Sequence, residues 1–158
     1  MSFSLTTIAH GGVRTGKVRR SAVSTQGRAD GSPPAEDILH LRLNGSPEAA
    51  ASARRALARL RGDLDAPLME TMRLLVTELV SNSVKHARAG HVQLKAVVGR
   101  SAVWIEVLDE GPGFDPNKQR TPGHDAGWGL FLVERLANRW GVVQDGASTR
   151  VWFELRRG

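Results

Sequence analysis

The amino-acid sequence predicts an α/β domain, an α+β two-layer sandwich in which helices pack on one face of a mixed, largely antiparallel sheet. Three observations predict it: short segments that alternate apolar and polar residues, turn residues that join some of them in pairs, and longer segments with helical spacing. The chain has 158 residues, of which 41% are hydrophobic, and this is enough for one domain with a sizeable core.

The N-terminal segment, residues 1–37, is rich in Ser, Thr, Gly, Arg and Pro and lacks apolar periodicity, which predicts a disordered leader. Residues 11–17 match the start of a P-loop, but Val18 stands where a Ser or Thr would hold Mg²⁺, and no helical pattern follows. We therefore exclude a P-loop and expect one domain over residues 38–158.

The first half of this domain begins with a strand and two helices. Residues 38–43 alternate apolar and polar side chains, which predicts a strand. Ser46 as a capping residue and Pro47 at the first helical position predict a helix to about residue 61. A second helix is predicted to follow Pro67 and to end at about residue 87.

The second half contains two predicted strand pairs around one helix. A short Gly-Arg-Ser turn joins the first pair as an antiparallel hairpin, and a glycine-rich and proline-rich loop follows over residues 111–127. The predicted elements are strands at 92–98 and 102–108, a helix at 130–138, and strands at 140–144 and 149–155.

Composition and charge exclude several classes of function. The absence of cysteine excludes disulfides, thiol catalysis and zinc sites with Cys ligands, and the five histidines show no paired metal-ligand spacing. The net charge is +6, but the basic residues are dispersed and no recognition-helix or base-stacking pattern accompanies them, so we expect no direct nucleic-acid binding. No apolar run could span a bilayer or serve as a signal peptide, so we expect a cytoplasmic protein without a membrane contact.

The second predicted helix carries a narrow polar stripe. At about 100° per residue, Glu78, Asn82 and His86 fall at about 0°, 40° and 80° on a helix that is otherwise largely apolar. A carboxylate and a carboxamide in such surroundings need partners, and a metal ion with its water would satisfy both. The alternative is an exposed stripe whose side chains hydrogen-bond to one another.

Two glycine-rich turns supply a second group of candidates. Asp109 ends a predicted buried strand, where its carboxylate can accept a hydrogen bond from an exocyclic amine, and Gly111 and Gly113 leave room for a flat ring. Gly127 and Gly129 precede an apolar helix, whose N-terminal amides can face a phosphate. The alternatives are an ordinary acidic turn and a loop that caps a helix.

Taken together and in this order, the three motifs resemble those of the GHKL ATPase superfamily, which has the Bergerat ATP-binding fold. They are Glu78-x-x-x-Asn82-x-x-x-His86, Asp109-x-Gly111-x-Gly113 and Gly127-x-Gly129-Leu130. Residues 129–142 and 149–155 further resemble stand-alone actinobacterial ATP-binding proteins of the anti-sigma-factor serine/threonine kinase type. The resemblance covers residues 38–155, and the chain differs from the usual pattern at Trp128 and Ser148.

The resemblance implies a role for each motif residue. Asn82 would coordinate the Mg²⁺ that bridges the ATP phosphates, and Glu78 would be the general base. Asp109 and Thr149 would recognise adenine. The residues implied in the remaining contacts are Gly111 and Gly113 beside the ring and Gly127, Gly129 and Leu130 beside the phosphates.

The function implied is an ATP-dependent protein serine/threonine kinase that phosphorylates an anti-sigma-antagonist protein of the STAS type and can sequester a sigma factor, with a homodimer also expected. The alternative is a non-catalytic module that binds ATP and switches between regulatory partners, for which Glu78 would not be needed. A sensor histidine kinase is disfavoured because the sequence offers no phospho-accepting helix pair, and a clamp ATPase because it offers no transducing domain.

Overall fold

In a computed structural model of the protein, five strands form one antiparallel sheet and helices cover one of its faces. The sheet contains β3 (Asp37–Asn44), β4 (His91–Val98), β5 (Ala102–Asp109), β6 (Arg139–Gln144) and β7 (Thr149–Arg156), in the spatial order β3-β4-β5-β7-β6. The structure describes residues 7–9, 12–14, 37–60, 64–86, 90–111, 128–145 and 147–158.

Three helices form the second layer: α1 (Ala49–Leu57), α2 (Ala66–His86) and α3 (Gly129–Leu136). The longest, α2, lies in the middle and contacts α1, α3 and the strands β4, β5 and β7. Its start is fixed by Asp65, whose Oδ1 accepts a hydrogen bond of 2.7 Å from the Leu68 amide, as an N-cap does. The fold class predicted from the sequence is therefore confirmed, with every strand pair of the five-stranded sheet antiparallel.

Strict alternation along the strands creates the core. On β5 the odd-numbered side chains are buried and the even-numbered ones are half-buried, and β4 and β7 bury the residues that lie directly opposite. Since side chains alternate between the faces of a sheet, the buried residues of these three strands all lie on the face that the helices cover. The core thus lies between the sheet and α2, where Met72, Leu75 and Val76 are fully buried.

The opposite face of the sheet carries aromatic and charged side chains. Lys95 Nζ lies 5.7 Å from the ring centroid of Trp104. Trp152 lies close against Gly141 on the neighbouring strand, since a Cβ at Gly141 would be 2.7 Å from the indole Nε1 and 2.9 Å from Cε2. A side chain at position 141 would therefore displace this indole ring.

Two further strands lie within the segment for which the sequence predicts a disordered leader. They are β1 (Thr7–Ala9) and β2 (Gly12–Arg14), which pair antiparallel, and β1 lies against β6. This hairpin is not predicted from the sequence. The remainder of the predicted leader lies outside the described residues, apart from Asp37, which begins β3.

Candidate nucleotide site

Two polar side chains face each other at one end of the sheet, beneath the helices. Asp109, the last residue of β5, lies directly opposite Thr149, the first residue of β7. Both are buried, with exposed fractions of 7% and 1%. Neither Asp109 Oδ1 nor Thr149 Oγ1 has a hydrogen-bond partner among the described residues. Buried polar atoms without partners cost about 1–3 kcal/mol each, so this pair is suited to a ligand that supplies the missing hydrogen bonds.

Ser83 of α2 completes this end of the site. Its side chain is buried and hydrogen-bonds to the carboxyl group of Asp109. Burial raises the pKa of Asp109 above its ordinary value, and the hydrogen bond from Ser83 partly offsets that rise. The Asp109 carboxyl is thus held by one hydroxyl while its other oxygen remains free to accept a hydrogen bond.

Glu78 and Asn82 lie one turn apart on α2, and both are partly buried. A Cβ at Gly129, the first residue of α3, would lie 2.5 Å from Asn82 Nδ2 and 3.5 Å from Leu79 Cδ2. The absence of a side chain at Gly129 therefore lets the start of α3 approach the carboxamide of Asn82 closely. This contact joins the motif that contains Glu78 and Asn82 to the motif that contains Gly129, although the two are far apart in sequence.

The two ends of the candidate site are joined through consecutive residues of α2. Asn82 meets Gly129 of α3, and Ser83 holds Asp109 of β5. A single helical segment thus fixes the distance between a carboxyl group that can recognise an amine and a helix N-terminus that can face an anion. This arrangement suits a ligand with a flat nitrogen-bearing ring at one end and phosphate at the other.

The remaining predicted residues divide into two groups. Gly111 is buried just beyond Asp109, and Leu130 is buried in the core beside α2 and the sheet. Gly113 and Gly127 lie outside the described residues, as does the side chain of His86. Their predicted roles beside the ring, the phosphates and the end of α2 stay predictions.

Ser83 is a site residue that is not predicted from the sequence. It lies directly after Asn82, about 100° beyond it around the helix and so outside the Glu78–Asn82 stripe, and nothing in its own spacing distinguishes it from an ordinary helical serine. Its role becomes evident only from the packing of α2 against β5, the strand that ends in the buried Asp109. A hydroxyl on that side of the helix has a partner within reach.

The described residues contain no cluster of three or more His, Asp or Glu side chains that could hold a metal by themselves. The donor set nevertheless fits Mg²⁺ bound together with phosphates, because Mg²⁺ prefers oxygen ligands and takes few of them from the protein. Asn82 and Glu78 supply such oxygens on one face of α2. No helix within the described ranges is long and apolar enough to cross a membrane.

Comparison with known proteins yields concordant findings. The profile of the Histidine kinase-like ATPase domain matches residues 43–155. Serine-protein kinase RsbW of Listeria monocytogenes serovar 1/2a is 28% identical over 118 residues, covering 63% of this chain and 75% of that protein. The protein of the same name from Listeria innocua serovar 6a is also 28% identical over 118 residues, with the same coverage of both chains.

Among solved structures, the RsbU and RsbW domains of Rv1364c from Mycobacterium tuberculosis match with a TM-score of 0.58 and 20% sequence identity. The match covers 77% of this chain and 32% of that chain, so this protein corresponds to about a third of the larger one. At this identity the likeness establishes the fold, an open antiparallel sheet with helices on one face.

Proposed function

Because the chain belongs to the histidine kinase-like ATPase family, a family of ATP-binding domains, we propose that it is an ATP-dependent protein serine/threonine kinase of the anti-sigma-factor type. The observation that carries the proposal is the buried pair Asp109 and Thr149, whose side-chain oxygens are unsatisfied. Ser83, which bonds to Asp109, directly follows Asn82, which lies against Gly129. The names of the Listeria relatives, which describe serine-protein kinases, support the reaction class.

In the proposed binding mode, Asp109 Oδ1 accepts a hydrogen bond from the exocyclic amine of adenine, and Thr149 Oγ1 joins the same polar network. A hydrogen bond to a charged acceptor contributes about 1.5–3 kcal/mol. Gly111 and Gly113 leave space for the ring. The backbone of Gly129 and Leu130, where α3 begins, faces the phosphates, and the same contact is proposed for Gly127.

Asn82 would hold Mg²⁺ together with the phosphate oxygens, and the ion would neutralise charge that develops on the transferred phosphoryl group. Glu78, one turn before Asn82, accepts the proton of the substrate serine hydroxyl. The serine oxygen forms a bond to the γ-phosphorus, the bond from that phosphorus to the bridging oxygen breaks, and ADP leaves with the bonding electrons. Glu78 is thus the proposed catalytic residue.

We further propose that the substrate is a STAS-type anti-sigma-antagonist protein, that a sigma factor is a second partner, and that two copies of the chain associate. The family relationship supports these partners as a class. The presence of a carboxylate at position 78 favours a kinase over a module that only binds ATP, because binding alone requires no general base.

The decisive experiment compares Glu78→Gln with wild type in the transfer of label from γ-labelled ATP to purified STAS-type proteins from the same genome. Glu70→Gln is the matched control, because Glu70 lies on the same helix and its side chain is largely exposed beside Arg73. We expect Glu78→Gln to bind ATP nearly as wild type does and to lose transfer by about a hundredfold or more, while Glu70→Gln behaves as wild type. ATP binding without transfer by the wild type would favour the switch module instead.

A further inference from the structure

One exposed aromatic side chain lies beside the proposed phosphate end of the site. Four large hydrophobic residues of the described chain are notably exposed, and three of these lie on α2 or at α3: Leu74, Trp128 and Leu136. Trp128 is the most exposed of the three, at 52%, and it immediately precedes Gly129, which contacts Asn82. An exposed indole at this position is unusual enough to require a reason, since tryptophan is enriched where proteins bind partners.

Trp128 belongs to an ordered row of side chains on the outer surface of α3. Its ring meets Phe131 edge to face, with centroids 5.7 Å apart and planes at 76°. The guanidinium of Arg135 lies 5.3 Å from the centroid of the same Phe131 ring. These three residues, here called the α3 ladder, lie within about 60° of one another around the helix, opposite the buried residues Leu130 and Val133.

The chemistry of the α3 ladder defines what it can bind. Trp128 offers a large apolar surface whose ring already contacts Phe131, so little conformational entropy is lost when a partner binds. A guanidinium that stacks on a ring keeps the donors at its edge available for a carboxylate. The ladder therefore fits a protein surface that presents an apolar side chain and, about 10 Å away along the helix, an acidic one.

We propose that the α3 ladder is the docking surface for the protein substrate of the kinase, an acidic partner that contacts Trp128 with an apolar side chain and Arg135 with a carboxylate. The proposal rests on the proposed function, because docking beside Gly129 and Asn82 places the substrate at the phosphate end of the site. Charge favours an acidic partner over a second copy, since this chain has 22 Lys and Arg residues against 16 Asp and Glu.

The test separates substrate docking from nucleotide binding. For Trp128→Ala and Arg135→Glu in the full chain, the KM for each STAS-type protein of the same genome and the KM for ATP are measured separately. Binding of the same proteins to the ADP complex is measured by calorimetry. We expect the protein KM and Kd to rise about tenfold or more, and the ATP KM and kcat to stay within about twofold.

Two control variants match the substitutions away from the ladder. Ile38→Ala removes an apolar side chain that is 61% exposed on the edge strand β3. Arg100→Glu reverses an exposed charge in the turn between β4 and β5, at the opposite end of β5 from Asp109. Both controls should leave the protein KM unchanged. In addition, a substrate whose docking acid is changed to lysine should regain affinity for Arg135→Glu, a rescue that a merely structural role of Arg135 would not produce.

Three results would overturn the proposal: a protein KM for the ladder variants equal to that of the controls, an effect confined to the ATP KM, or a loss of self-association as the sole consequence. Failure of the kinase hypothesis has a different signature. If the wild type binds a STAS-type protein without phosphorylating it, the Kd values of the ladder variants still decide the docking proposal. If the wild type binds none of these proteins, the docking proposal is wrong.

Discussion

Replacing Gly129 by alanine should separate catalysis from stability. The added Cβ would lie 2.5 Å from Asn82 Nδ2, whereas its distance of 3.5 Å from Leu79 Cδ2 is an ordinary contact. The carboxamide is the free end of a short side chain, so it yields more readily than the backbone of either helix. To reach an ordinary separation of 3.4 Å, it must recede by roughly 0.9 Å.

Displacement of a catalytic group by about 1 Å can reduce a rate about a hundredfold. Alanine in a helix is also favoured over glycine by up to about 0.5–1 kcal/mol, because it loses less backbone entropy on folding. We therefore expect Gly129→Ala to transfer phosphate about a hundredfold more slowly, to need more Mg²⁺ to bind ATP, and to unfold at the same or a higher temperature without nucleotide.

The assays are single-turnover transfer from γ-labelled ATP, ATP titration at several Mg²⁺ concentrations, and thermal unfolding of the nucleotide-free protein. Gly90→Ala is the control, because a Cβ at Gly90 would meet no atom within 4 Å. If Gly129→Ala retains both its transfer rate and its Mg²⁺ dependence within twofold, Asn82 does not act at the position proposed. A large loss of stability would show instead that the helices, and not the carboxamide, absorb the clash.

Four further predictions concern the sheet and its contact with α2. Asp109→Asn should weaken ATP binding by about tenfold to a hundredfold, because it removes a charged acceptor, and titration calorimetry that finds equal affinity would refute the adenine assignment. Burial raises the pKa of Asp109, so ATP affinity should increase as pH rises through that raised pKa. The nucleotide-free fold favours the protonated carboxyl, so its stability should decrease as pH rises from the ordinary aspartate pKa to the raised one and should not change further through this group above it. Ser83→Ala should move the rise in ATP affinity and the upper end of the stability loss to higher pH, since the Ser83 hydrogen bond lowers the pKa of Asp109 in the folded protein. Unchanged pH profiles in calorimetry and thermal unfolding would contradict that role. Gly141→Ala should lower the free energy of unfolding by about 1–3 kcal/mol, because its Cβ meets the rigid indole of Trp152, whereas ATP affinity at low temperature should be retained; denaturant unfolding measures the first and calorimetry the second.

The sheet could be predicted from the sequence because alternation carries most of the information. The predicted strands at 92–98 and 102–108 differ from β4 and β5 by one residue each. Along these strands, one side chain points into the core and the next points to the opposite face of the sheet. The alternating pattern therefore indicates both the strand and its register. This local signal is sufficient because the buried face of an antiparallel strand is set by its own side chains.

Helix boundaries were less accurate, because they depend on which polar group a capping side chain contacts. Ser46 was expected to cap the first helix, but its side chain hydrogen-bonds to Glu48, and α1 begins only at Ala49. Asp65, which was not assigned a role, caps α2 instead. Each is a suitable capping residue, and only the course of the backbone before each helix decides between them.

Two glycines show why the candidate site could be predicted only in part. Gly129 and Gly141 are both small residues beside apolar sequence, and each allows another side chain to approach a backbone closely. At Gly129 the neighbour is a carboxamide on another helix, whereas at Gly141 it is an indole on the adjacent strand. The polar pair also depends on tertiary structure. Asp109 and Thr149 lie 40 positions apart, and their unsatisfied oxygens become evident only once β5 and β7 are in register. A motif indicates which residues to consider, but the ligand is inferred from the hydrogen bonds that the folded chain leaves unmade, and those depend on tertiary contacts that no local pattern contains.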